Sequence, residues 1–205
     1  MAFSKVGETT FEILADDANH DVTLPGTVLE GDIVIYGHCA DSVVTPGVQT
    51  AGYTDIWTDH SQNAPGYDSG YKVMGATPDT IISFVQDSAF SGEDTAGVLQ
   101  VWRGLDTTTP EDATPTGAGG SSGMPDCPSI TTVTDGALVF AIGFLDDLKI
   151  ASTVTAPSGY TNLLNIRVEL VWCRTVRSVP PFLILLQLTT VFVKGQHILR
   201  SKMNN

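Results

Sequence analysis

From Leu29 to Asp41 the chain reads Leu-Glu-Gly-Asp-Ile-Val-Ile-Tyr-Gly-His-Cys-Ala-Asp, a turn followed by a run too apolar and β-branched for a surface strand. Such a run predicts a buried strand. The pattern returns about a hundred residues later, where Thr134-Asp135-Gly136 leads into Ala137-Leu138-Val139-Phe140-Ala141-Ile142-Gly143-Phe144-Leu145 and stops at Asp146-Asp147. The echo continues beyond the strands: Thr45-Pro46 with Gly52-Tyr53-Thr54-Asp55-Ile56 comes back as Thr155-Ala156-Pro157 with Gly159-Tyr160-Thr161-Asn162-Leu163. One strand-loop-strand unit is therefore present twice. Two copies are too few for a stacked array, which needs about three to bury a continuous core. The pattern predicts a single β-sandwich in which each Gly-Tyr-Thr strand turns back onto its central strand.

The remaining chain alternates in the same short-strand rhythm. Thr9 to Leu14 reads as a half-buried strand, Val22 to Leu24 as a short one closed by Pro25-Gly26, and Tyr71 to Val85 as strand, turn, strand. Gly97 to Gly104 is a further central strand. Its Arg103 is the only basic residue between Lys72 and Lys149, which suits an ion pair with a nearby Asp. Asp106 to Ser129, rich in Thr, Pro, Gly and Ser, predicts a long loop or arm. After Leu164 the character changes: Arg167 to Arg177 still alternates, and Pro180-Pro181 then opens an apolar run from Phe182 to Val193 with a basic end. Twelve such residues are too few to span a bilayer. Exposed, they would form an aggregation-prone edge, so they belong inside the chain's own sandwich or against another chain. Translation of this segment out of frame relative to an ancestral domain is a third reading.

At 205 residues one domain suffices, and with charged residues at 16% the composition favours strands and turns over helices stitched by Glu-Lys pairs. The net charge of −13 is unevenly placed: residues 1–165 carry 4 Lys/Arg against 22 Asp/Glu, or −18, and residues 166–205 carry six against one, or +5. An acidic body repels phosphate backbones, and the basic residues form no clustered stripe, which argues against nucleic-acid binding. Met1 to Lys5 has no basic start followed by an apolar segment, the expectation being a chain made in the cytoplasm. Cys39, Cys127 and Cys173 are odd in number and widely spaced, so neither a disulfide framework nor a cysteine zinc site is indicated.

Three stretches carry candidate chemistry. Asp16-Asp17-Ala18-Asn19-His20-Asp21 holds oxygen and imidazole ligands but not the spacing of a calcium loop, so it reads as a solvated turn and no metal is assigned. Gly119-Gly120-Ser121-Ser122-Gly123 has the glycine-serine spacing of a nucleophile elbow without the preceding strand and following helix that expose such a serine. No catalytic residue and no cofactor follow. Ser61 to Gly70 reads as a projecting loop, where Asp55, Asp59, His60 and Asp68 could gather beside aromatic rings. Trp57, His60, Tyr67, Asp68 and Tyr71 are thus the candidate contacts for a glycan. The competing structural reading tucks the same aromatics against the sheet.

Gly31-Asp32-Ile33-Val34-Ile35, the Thr-Pro and Gly-Tyr-Thr pairings, Tyr71-Lys72-Val73, Val101-Trp102-Arg103-Gly104-Leu105-Asp106-Thr107-Thr108-Thr109-Pro110 and Thr134 to Val139 together resemble a β-sandwich module of tailed-bacteriophage virion structural proteins. The resemblance covers residues 28 to 165. It implies a jelly-roll-like or lectin-like domain of a head decoration or fibre protein, non-enzymatic, on the virion surface. It also implies a homo-oligomer, with a trimer as the expectation, and virion partners such as a major capsid protein. Host glycans are a second class of partner, under which the chain is an adhesin. The chain departs from the resemblance after Leu164. The expectation is therefore an all-β body over 1–165 and an apolar, basic extension over 166–205 that completes the sandwich or docks on a neighbouring subunit. Phe182, Ile184, Leu186, Leu188, Phe192 and Arg200 are its docking candidates.

Overall fold

The computed structural model describes residues 3–13, 19–40, 47–59, 66–85, 95–116, 128–144, 162–165, 171–175 and 183–188, and every regular element among them is a strand. In chain order these are β1 (Ser4–Ile13), β2 (Asn19–Thr23), β3 (Ile33–Ala40), β4 (Gly47–Val48), β5 (Thr54–Asp59), β6 (Gly66–Val73), β7 (Ile81–Val85), β8 (Thr95–Arg103), β9 (Ala137–Phe144), β10 (Asn162–Asn165), β11 (Val171–Thr175) and β12 (Leu183–Leu188). No helix among the described residues is long and apolar enough to cross a membrane. The strands form a five-stranded sheet in the order β1-β8-β3-β6-β5, a three-stranded sheet β2-β7-β4 and a four-stranded sheet β10-β11-β9-β12. The first two are antiparallel throughout. In the third only β12 runs parallel to its neighbour, β9.

β3 sits in the middle of the largest sheet, and successive side chains of a strand point to opposite faces. Ile33 and Ile35 pack on one face with Tyr71, Trp102 and Leu105 and with Leu138 and Phe140 of β9. Val34 and Tyr36 pack on the other with Leu99 and Val101 of β8, Val22 of β2 and Ile82 and Phe84 of β7. A strand covered on both faces has no position for a polar surface residue, which is why its sequence is apolar without alternation. The two echoing segments share one of these cores, since Ile33, Ile35, Leu138 and Phe140 lie in a single cluster.

The internal repeat extends to topology, though not as the sequence suggests. The Gly-Tyr-Thr strand β5 does not pair with β3; β6 lies between them, hydrogen-bonded to both. β10 is likewise separated from β9 by β11. Both units thus have the order first, third, second strand: β3-β6-β5 and β9-β11-β10. Both central strands are also entered through a glycine with positive φ, Gly31 at 79° and Gly136 at 90°, a conformation that costs an L side chain free energy.

The second difference concerns the expected loop from Ser61 to Gly70. Its last five residues, from Gly66, form the first half of β6, held between β3 and β5. Turn-forming residues are read as loop from composition alone, and two flanking strands override that preference by supplying a complete ladder. Residues 106–116 and 128–136 contain no extended strand, in line with the expected long connection. Asp112 ties its two ends by accepting hydrogen bonds from Val133 N at 2.7 Å and Thr134 N at 3.1 Å.

Candidate functional site

Side chains at cross-strand partners in an antiparallel pair share a face. Tyr36 opposes Gly70, His38 opposes Asp68, and Gly70 opposes Asp55, so Tyr36, His38, Asp55 and Asp68 project from the same side of β3, β6 and β5. That side faces the three-stranded sheet. Gly70 is required there, because a Cβ at its position would lie 2.8 Å from Tyr36 Cε1 and 2.9 Å from its Oη. With no side chain in the way, the Tyr36 ring lies across β6. Its hydroxyl reaches Asp68 Oδ2 at 2.8 Å and Asp55 Oδ1 at 3.3 Å.

One hydroxyl proton cannot serve two carboxylates, and Tyr36 and Asp68 are buried while Asp55 is exposed. Burial pushes the Asp68 carboxyl up against the opposing hydrogen bond from Tyr36; the charge of Asp55 adds to the rise and the Ser69 N–H opposes it, leaving Asp68 at about 7. The hydroxyl proton goes to Asp68 Oδ2, the closer of the two, and Asp55 Oδ1 lies at the longer distance. Burial, with the two carboxylates beside it, holds the Tyr36 phenol far above its ordinary value, so Tyr36 stays protonated.

A second polar group adjoins the first. His20 of β2 and His38 of β3 have ring centroids 5.4 Å apart, and Phe84 of β7 lies 5.6 Å from His20 and 4.6 Å from His38. Thr95 of β8 places Oγ1 at 3.3 Å from His20 Nε2, and the Phe11 ring of β1 packs 5.9 Å from His38. Five strands from two sheets therefore meet around His38. It is wholly buried, and neither ring nitrogen has a hydrogen-bond partner among the described residues. Burial, with His20 beside it, lowers its pKa well below the ordinary histidine range, so the ring is neutral.

Of the five glycan candidates, Trp57 lies on β5, where it pairs with Ser69, and His60 is outside the described residues. Tyr67, Asp68 and Tyr71 are on β6 and are 1%, 1% and 9% exposed, so they belong to the interior and not to a projecting loop. Tyr71 packs in the cluster with Leu138 and Phe140, and its hydroxyl donates to Glu111 Oε1 at 3.2 Å. Asp55 and Asp68 do come together, through Tyr36, which the sequence reading passed over as a core residue. Of the docking candidates, Ile184, Leu186 and Leu188 lie on β12, in register with Leu138, Phe140 and Ile142 of β9. Phe182, Phe192 and Arg200 fall outside the described residues, as do Asp16, Asp17 and Gly119 to Gly123. Asp21 accepts a hydrogen bond from Ser83 Oγ, and Cys39 is buried in β3.

No family model, no curated protein and no solved structure matches the chain. Chemically, the Tyr36 group can hold a proton between two carboxyls and the His38 group can hold a neutral imidazole inside the core. Among the described residues no three His, Cys, Asp or Glu side chains are grouped to hold a metal ion.

Proposed function

We propose that the chain is a non-enzymatic structural protein of a virion surface, a capsid decoration or fibre protein whose body is a jelly-roll-like β-sandwich. One observation carries this reading: the residues of the phage-module resemblance lie in the core and its turns. Ile33 and Ile35 fill one core, Val34 and Val101 the other, and Trp102 lies edge-on to Phe140 at 5.9 Å. Arg103 clamps the turn residue Asp32, and Thr134 is held by Asp112. Motifs used this way specify a rigid scaffold and not a reaction. The acidic body keeps such a scaffold soluble, and the basic, apolar segment after residue 165 completes the sheet at β9 or docks on a neighbouring subunit or capsid protein.

The glycan-binding alternative draws less support, because Tyr67 and Tyr71, two of its three intended stacking rings beside Trp57, are buried. Mass spectrometry and immunogold labelling of purified particles from infected cells test the proposal. Stoichiometric recovery of the chain with label on the particle surface is the expected result, and expression in infected cells with no copies on the particle overturns it. Glycan-array binding that disappears in Trp57→Ala, with folding intact, would favour the adhesin.

A further inference from the structure

Two ionisable groups are buried side by side where the five-stranded sheet meets the three-stranded one. His38 and Asp68 are register partners on β3 and β6, 0% and 1% exposed. Both nitrogens of His38 and Oδ1 of Asp68 lack hydrogen-bond partners among the described residues. Phe11 and Phe84 close over the imidazole, and the titratable neighbours on the surrounding strands are His20 from β2, Asp55 from β5 and Tyr36 on β3 itself. Phe11 of β1, Phe84 of β7 and Thr95 of β8, all uncharged, pack around the two imidazoles. A cation on His38 would have another imidazole beside it, and an anion on Asp68 would have another carboxylate. Burial first, and then these like neighbours, disfavours each charged form, and in opposite senses.

We infer that His38 and Asp68 act as a compensated pair that keeps the junction between the two sheets insensitive to mildly acidic pH. The balance follows from proton linkage. His38, lowered from 6.5, contributes stability that is full above that value and falls about tenfold in the folding equilibrium per pH unit below it. Asp68, raised from 3.8 to about 7, contributes stability that grows about tenfold per unit as pH falls from 7 toward 3.8 and is lost as pH rises through 7. Below 6.5, for as long as the folded His38 ring stays neutral and the unfolded Asp68 stays ionised, the unfolded chain carries the proton on His38 and the folded chain carries it on Asp68, so the total bound is the same and the two slopes cancel.

The test is urea unfolding of the full chain between pH 4.5 and 7.5, with each variant read as its difference from the unaltered protein so that other titrations drop out. Asp68→Asn keeps the shape of the protonated acid, and its folding equilibrium should fall about a hundredfold relative to the parent between pH 6.5 and 4.5. His38→Leu should gain relative to the parent as pH falls below 6.5, and the double variant should run closer to the parent than either single variant. Single variants that both parallel the parent overturn the inference. Nitrogen NMR of the intact chain needs no variant: a His38 ring still neutral at pH 5 supports the pair, and a ring that takes up its proton between pH 7 and 6 refutes it.

Discussion

Arg103 and Asp32 meet in a two-pronged ion pair, Nε donating to Oδ1 at 2.8 Å and Nη2 to Oδ2 at 2.7 Å, with the carboxylate fully buried and the guanidinium side chain 43% exposed. Asp32 also accepts from Leu29 N at 2.8 Å, and Arg103 donates to Thr27 O at 3.1 Å. One acid thus fixes the turn before β3 to the end of β8. The two partners are unequal in solvent access, so their removal has unequal consequences.

Asp32→Ala releases an arginine that water can solvate but leaves the Leu29 N–H without its acceptor, a loss of about 1–3 kcal/mol. Arg103→Met leaves a carboxylate buried with a single hydrogen bond, which is the worse state. The expected ranking is a larger fall in the urea midpoint for Arg103→Met than for Asp32→Ala. The reverse ranking would show that the carboxylate is hydrated in solution.

Tyr36→Phe removes the hydroxyl between Asp55 and Asp68. That hydrogen bond holds Asp68 down, so its loss moves the Asp68 titration upward from about 7. The proton on Asp68 contributes stability that disappears as pH rises through its folded value, and in Tyr36→Phe this decline shifts to higher pH. Carbonyl-carbon NMR of Asp68 reads the shift directly. A stability loss of about 1–2 kcal/mol at pH 6 accompanies it, because Asp68 loses a buried hydrogen-bond partner.

Phe140 tests whether β9 covers the central sheet. It is 1% exposed and packs with Ile33, Ile35, Tyr71, Trp102, Leu105 and Leu138, so Phe140→Ala leaves a cavity and costs about 3–5 kcal/mol. Thermal unfolding should show the fall. A change below about 1 kcal/mol would mean that β9 and β3 are not packed together in solution.

The strand class and the buried centre were legible because hydrophobic runs are local: Ile33 to Tyr36 and Leu138 to Phe140 announce burial without any knowledge of partners. The ion pair of Arg103 was legible for a similar reason, a lone cation in an acidic chain having few alternatives. Pairing was not legible. β6 enters between β3 and β5 through Gly66 to Gly70, residues that composition assigns to a loop, and only the two adjacent strands convert them. The His20 and His38 contact was equally hidden, since it joins strands of different sheets and follows no spacing rule.

β12 pairs in parallel with β9 from Leu183 opposite Ala137 to Leu188 opposite Ile142, and it is the end strand of its sheet. Its sequence, Leu-Ile-Leu-Leu-Gln-Leu, has none of the charged or proline residues that usually guard an edge. Deleting residues 183–205 strips one ladder from β9 and turns that strand into the exposed edge. The truncated chain should therefore unfold at lower urea and self-associate as its concentration rises, measured by light scattering after size exclusion. If the segment instead engages a neighbouring subunit in solution, truncation leaves the unfolding midpoint unchanged and lowers the oligomer mass. The two outcomes separate a strand that closes its own sheet from one that is lent to another chain.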